Sequence, residues 1–314
     1  MNDDKVLEKL KTKLWNMELE HPLVLGAGIA KHILGPEGLE GFLTKVNASL
    51  LIGGSFTMVS CDGNPGEVCW LEPDGKFILN RMGLPNKGIM DVARTLPEII
   101  RTAKKQNKFI GISVSATKDS TYVDQYEYLT KEVFTFGADI VELNLSCPNT
   151  DNEPVCFNLI EVDKIFYRLS QILNQEYNNI CVKVSPFSSG KHIKNFANLI
   201  DEYPVIKGVS TMNTFPNALY YQNDKPVISS NDGFAGLSGS SIFPIALGQV
   251  AQWRKYLSDE KYIIGGGGVT TVQNVLDMQR AGANAVFLVS AVLTHKPRIF
   301  DQFLNGLIDH YSLD

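Results

Sequence analysis

The feature that most constrains this chain is an alternation. Eight short apolar runs, rich in β-branched residues, are each followed by a longer stretch suited to a helix. The runs are PLVLGAGI (22–29), ASLLIGGSF (48–56), KFIGISVSA (108–116) and ADIVELNLS (138–146), then NICVKVSP (179–186), VIKGVSTMN (205–213), KYIIGGGG (261–268) and AVFLVSAV (285–292). Most are continuous, as parallel strands buried on both faces must be. Eight β-then-α units imply an α/β fold closed into a (β/α)₈ TIM barrel; an open doubly wound sheet is the alternative, and eight units close more naturally. The 314 residues suit one barrel with insertions, so 1–314 reads as a single domain.

Between the runs, GIMDVARTLPEIIRTAKKQ (88–106) and TTVQNVLDMQRAG (270–282) are helical in pattern, and Pro97 implies a break or kink in the first. Residues 57–80 and 215–235 depart from the alternation. They carry the turn signals Gly63-Asn64-Pro65-Gly66, Pro73-Asp74-Gly75 and Asn231-Asp232-Gly233 between short β-like segments. Both follow strand C-termini, so they read as β-hairpin insertions on the face where barrels build active sites.

Composition narrows the function by exclusion. A net charge of −5, with no basic run longer than a pair such as Lys104-Lys105, disfavours nucleic acid and anionic membranes. Five cysteines (61, 69, 147, 156, 181) form no CxxC pair, which argues against a disulfide framework or a zinc site. The five histidines are scattered, so no metal is expected. Without a membrane-length apolar stretch or signal-peptide core, a soluble cytoplasmic protein is expected.

Four motifs carry chemistry. Asn144-Leu145-Ser146-Cys147-Pro148-Asn149 ends a buried strand, where a partly exposed thiol between two carboxamides faces the barrel mouth. A strand-end cysteine is more often a packed residue than a catalyst. Asn80-Arg81-Met82-Gly83-Leu84-Pro85-Asn86 reads, alone, as a turn into a helix. Gly265-Gly266-Gly267-Gly268 joins the seventh strand to a helix and suits a phosphate, with Ser290 after the eighth strand able to add a hydroxyl. Lys183 lies inside a buried strand and needs a partner, such as negative charge on a cofactor; a Schiff base is the competing role, and a snorkelling strand-end lysine the bland one.

Taken together and in order, these motifs resemble the dihydroorotate dehydrogenase family. The likeness runs through GNP (63–65), NRMGLPN (80–86), ELNLSCPN (142–149), VKVSP (182–186), STMN (210–213), DGFAGLSG (232–239), IIGGGGV (263–269) and IFDQF (299–303). A cysteine in NLSCPN marks the soluble, cysteine-base class. The resemblance implies pyrimidine biosynthesis: FMN-dependent oxidation of dihydroorotate to orotate, with Cys147 as base and hydride passed to the flavin. It assigns Asn80, Asn144, Asn149, Asn213 and Thr214 to the pyrimidine, and backbone contacts to Met82, Gly83 and Leu84. It assigns Gly26, Ala27, Lys183, Gly239, Gly267, Gly268 and Ser290 to FMN. A small-molecule substrate is implied, and a homodimer is compatible.

The chain departs from the family at three places. The family's lysine after the second strand, in a TKS-like pattern, is replaced by Gly54 within Gly53-Gly54-Ser55. Lys31 or Arg81 is the candidate replacement cation, and Gly54→Lys is expected to improve dihydroorotate turnover. The loop after the Pro-Asn pair is Thr150-Asp151-Asn152-Glu153-Pro154, acidic and without glycine; Val289 stands where a GTA-like sequence has glycine. These departures keep two alternatives open: a neutral dihydropyrimidine as substrate, and a flavin-binding homologue without catalysis. A Schiff-base aldolase through Lys183 is a third reading.

Overall fold

The computed structural model describes residues 3–28, 46–117, 121–147, 153–173 and 179–313. The eight runs form eight parallel strands: β1 (Leu23–Leu25), β2 (Leu50–Phe56), β3 (Phe109–Val114), β4 (Ile140–Asn144), β5 (Ile180–Val184), β6 (Ile206–Thr211), β7 (Tyr262–Gly266) and β8 (Ala285–Leu288). They close in sequence order, with β8 paired to β1. The (β/α)₈ barrel is therefore the observed architecture.

Strand parity divides the core in two. Ile140, Cys181, Tyr262, Ile264, Ala285 and Phe287 pack inside the barrel, while Val141, Leu143, Val182, Ile263, Val286 and Leu288 face the surrounding helices. A strand turns alternate residues to opposite faces, so Glu142, Asn144 and Lys183 fall on the inward side. An antiparallel hairpin, Thr12–Leu14 with Met17–Leu19, contributes Leu14, Met17 and Leu19 to the inner cluster. The inner cluster is thus apolar where this hairpin joins it, and polar residues come in toward the C-terminal ends of β4 and β5.

Two expectations are refined. The break expected at Pro97 is present: the short helix Ile89–Val92 ends before it, and Pro97 sits in the first turn of a separate helix, Leu96–Lys104. That position needs no backbone N–H, so proline is tolerated. The second helix, Val272–Arg280, begins where expected and is capped by Thr271 accepting from Asn274 N–H. Each insertion forms its own antiparallel pair, as expected, and the two pairs are joined. Cys69–Leu71 and Ile78–Asn80 from the first, with Phe215–Ala218 and Ala235–Ser238 from the second, pair into one four-stranded antiparallel sheet. Each insertion thereby satisfies edge hydrogen bonds of the other. Trp70, Phe77 and Tyr220 form an aromatic cluster across them, Trp70 stacked on Tyr220 at 4.9 Å.

Candidate active site

A pocket of about 320 Å³ opens beside the C-terminal ends of the barrel strands, within the range of roughly 300–1,000 Å³ common for small-molecule and cofactor sites. Of the residues expected from sequence, Ala27, Asn80, Met82, Lys183, Asn213, Thr214, Gly267, Gly268 and Ser290 line it. Met212 of STMN and Val289 of the GTA-like position also line it, as do Phe287 and Ile78, which belong to no motif. Phe287 points inward from β8 by strand parity.

The glycines differ in what they do. A Cβ on Gly268, whose φ is +75°, would stand 2.6 Å from the Gly239 carbonyl oxygen and 2.7 Å from Phe243 N. A Cβ on Gly239, φ +99°, would stand 2.5 Å from Lys76 O. Three backbone segments therefore meet here without side chains between them, and the turn of the first insertion is laid against the glycine loop after β7. Such a loop presents backbone amides rather than side chains to a ligand. Gly26 is absent from the pocket lining: a Cβ there would meet Val289 Cγ2 at 2.7 Å, which makes it a packing glycine.

Lys183 is 7 % exposed and reaches the pocket from within β5. Its Nζ lies 3.9 Å from Glu142 Oε1 and 5.7 Å from the centre of the Phe287 ring. Neither contact is a hydrogen bond. Among the described residues lining the pocket, Lys183 is the one charged side chain. The Thr214 hydroxyl, buried in the same lining, also has no hydrogen-bond partner. A buried ammonium and a hydroxyl lacking acceptors, with a side-chain-free glycine loop on the same wall, fit an acceptor-rich, phosphate-bearing group such as FMN.

The Cys147 turn is held by a chain of hydrogen bonds. Asn213 Nδ2 donates to Ser146 Oγ at 2.9 Å and to Ser146 O at 3.2 Å. Ser146 Oγ donates to Asn144 Oδ1 at 2.8 Å; Asn144 Nδ2 donates to Ser55 Oγ at 2.9 Å; and Ser55 Oγ meets Ser113 Oγ at 2.9 Å. Tyr126 OH donates to the Asn144 carbonyl at 3.0 Å, and Ser185 Oγ to the Ser146 carbonyl at 3.1 Å. Burial pushes the Tyr126 phenol up, so it stays a donor. Ser55, Ser113, Tyr126 and Ser185 were not anticipated, since single hydroxyls on separate runs carry no spacing signal. Asn144 is 6 % exposed and absent from the pocket lining; its Oδ1 takes both Ser146 donors, so its first role is to clamp this turn. Cys147, one residue on, is partly exposed, whereas burial pushes Cys156 up to about 11 and Cys181 well above the usual thiol range.

The run 80–86 folds as a tight turn. The carbonyls of Met82, Gly83 and Leu84 accept from Asn64 N, Cys61 Sγ and Asn86 Nδ2, at 3.0, 3.3 and 2.8 Å. Gly83 and Leu84 have φ of +70° and +57° and are not in the pocket lining. Asn149, Asp151 and Lys31 lie outside the described residues. Arg81 is 8 % exposed and also absent from the lining. Gly54 continues the inward parity of Leu50 and Ile52 at a register shift, with φ +88°. A Cβ there would stand 2.7 Å from the Ser113 carbonyl oxygen and 2.7 Å from the Phe56 ring. The backbone at 54 therefore does not accept a lysine, and the expectation that Gly54→Lys improves turnover is withdrawn.

Comparison with known proteins agrees with this arrangement. The family described as dihydroorotate dehydrogenase matches residues 9–310. A Streptococcus agalactiae relative is 28% identical over 300 residues, covering 93% of this chain and 90% of its own. Dihydroorotate dehydrogenase A (fumarate) of Lactococcus lactis subsp. lactis is 28% identical over 304 residues, covering 95% and 93%. The crystal structure of DHODH from Eimeria tenella in complex with ferulenol superposes with a TM-score of 0.82 at 20% identity, covering 98% of this chain and 84% of that one. At that identity the superposition speaks for the fold. The closed barrel with a pocket at its strand C-termini is the arrangement of an α/β-barrel enzyme. The chain belongs to the dihydroorotate dehydrogenase family, with relatives of the fumarate-named, class 1 type.

Proposed function

We propose that this chain oxidises dihydroorotate to orotate, with FMN held in the pocket and Cys147 as the base. The observation that carries the reading is the bond between Asn213 and Ser146. It ties the turn bearing Cys147 to the wall of a pocket that also holds Lys183 and the glycine loop.

Lys183 would meet the electron-rich edge of the flavin ring system, and Gly267, Gly268 and Ser290 its phosphate. FMN, when bound, would supply the acceptor for a hydride from one ring carbon of the substrate. Cys147, as thiolate, takes the proton from the adjacent carbon, so two hydrogens leave and a C=C bond forms. Asn80, Asn213 and Thr214 orient the ring through its carbonyl and N–H groups. The clamp on Ser146 fixes where the thiol stands. The Lactococcus relative's name specifies fumarate, which makes fumarate the first oxidant to try for turnover.

The test is anaerobic reduction of the flavin in purified protein, with dihydroorotate against dihydrouracil. Bleaching by dihydroorotate is expected, and Cys147→Ala should abolish it while FMN stays bound. A protein that takes up no FMN, or a flavin bleached by neither compound, overturns the reading. One observation favours the neutral ring: position 54 has no room for a cation, and Lys183 stands alone among the described charges of the lining. Faster bleaching by dihydrouracil would establish that version. We place the enzyme in the cytoplasm as one barrel domain. Exposed Leu71, Phe215, Tyr221 and Phe234 on the insertions favour a homodimer, which a monomeric sedimentation profile would refute.

A further inference from the structure

Beneath the pocket lies an acid that the reaction itself does not use. Glu142 sits in the middle of β4, and β4 pairs with β5 so that Asn144 stands beside Lys183 and Glu142 beside Cys181. Parity turns Glu142, Cys181 and Lys183 into the barrel. Glu142 is 1 % exposed, and its Oε1 has no hydrogen-bond partner. The ammonium of Lys183, 3.9 Å away, is near enough for strong Coulomb attraction and too far for a hydrogen bond.

Two other titratable groups lie within electrostatic reach. Burial first, and Glu142 second, push the Cys181 thiol well up. Burial first, then Cys181 and Glu142, push the Tyr262 phenol well up. Both stay neutral, so neither competes with Lys183 for the carboxylate. A buried carboxylate left short of hydrogen bonds is costly, and glutamine would fill the same space without that cost. The charge at this position therefore has an electrostatic consequence rather than a packing one.

We propose that Glu142 is a positioning residue for the flavin site, the buried counter-charge that anchors Lys183 and offsets the positive charge it presents to the bound cofactor. This rests on the FMN reading above. Because the Glu142 contact is not a hydrogen bond, the N–H donors of Lys183 stay available to a ligand in the pocket. A cation beside the flavin favours its electron-rich reduced form; the carboxylate beneath Lys183 moderates that bias.

The experiment is a dye-coupled potentiometric titration of the FMN-loaded protein at one pH, with a thermal melt on each variant. Glu142→Gln should shift the two-electron equilibrium toward reduced flavin by about tenfold, or about 30 mV more positive. Glu142→Asp keeps the charge and should stay within about threefold of wild type. Lys183→Gln should shift the equilibrium the other way. Adding Glu142→Gln to it should reverse a clear part of that shift, in a protein with no buried unpaired charge. This double variant keeps the test open if Glu142→Gln alone folds poorly. The proposal is overturned by equal shifts in Gln and Asp, by no shift or a negative one in Gln, or by a double variant matching Lys183→Gln alone. Failure of the wild-type protein to load FMN would overturn the proposed function itself, which is a distinct result.

Discussion

Placing lysine at position 54 is the perturbation that the sequence invites and the structure forbids. Gly54 has φ +88°, and any Cβ would stand 2.7 Å from the Ser113 carbonyl oxygen. A left-handed backbone costs a non-glycine residue roughly 1–2 kcal/mol, and forcing atoms into a filled site roughly 1–3 kcal/mol more. The total is about 2–5 kcal/mol. Unfolding entropy of about 2.1 cal/mol/K per residue, over 314 residues, turns each kcal/mol into about 1.5 °C. Gly54→Lys should therefore lower Tm by about 3–8 °C, and Gly54→Ala by nearly as much, because both carry the offending Cβ. The damage should also reach the chemistry. Ser113 holds Ser55, Ser55 accepts from Asn144, and Asn144 holds Ser146 beside Cys147. Displacing Ser113 should cost kcat/KM roughly tenfold to hundredfold, the scale of a small misplacement of reacting groups. Differential scanning fluorimetry and steady-state turnover with dihydroorotate read both effects. A Gly54→Lys protein with unchanged Tm and faster turnover would refute the reasoning and revive a missing lysine as the limit on catalysis.

Other expectations follow from single contacts. Gly268→Ala puts a methyl 2.6 Å from Gly239 O; it should weaken FMN binding at least tenfold, measured by flavin fluorescence, and unchanged affinity would remove this loop from the cofactor site. His21 is nearly buried and its Nδ1 accepts from Leu23 N. Burial lowers its pKa from 6.5 to about 4. Below pH 6.5 the unfolded chain binds a proton that the folded one refuses, so stability is complete above that pH and is lost as pH falls toward 4. Between pH 7 and 5 this group should cost roughly 2 kcal/mol. His21→Asn should show a correspondingly flatter pH dependence in urea unfolding; an identical slope would contradict the assignment.

The barrel was legible because its signal is repeated. Eight runs each report the same burial on two faces, so an error in one leaves the count intact. The insertions were placed on the right face, but their joining into one sheet was not visible. Pairing Leu79 with Leu237 is set by where β2 and β6 end in space, and neither strand's sequence records the other. One periodic pattern spans both helices, and Pro97, in the first turn of the second, is the local signal that the chain restarts there.

The site divides along the same line. Cys147, Lys183 and the glycine loop lie within motifs whose residues are adjacent in sequence. What controls them is dispersed. The hydroxyls that clamp the Cys147 turn come from β2, from just beyond β3 and β5, and from the helix Tyr122–Thr135. Glu142 does lie in a motif, yet its neighbours in sequence, Val141 and Leu143, face the opposite side of the barrel wall. Its partner is 41 positions away on the next strand, and only the register of β4 against β5 brings the two charges together. A motif thus identifies which groups meet the ligand. The charge and geometry those groups present are set by residues that meet only across strands, which is why changing Glu142, remote from the reacting carbons, is expected to move the flavin's potential.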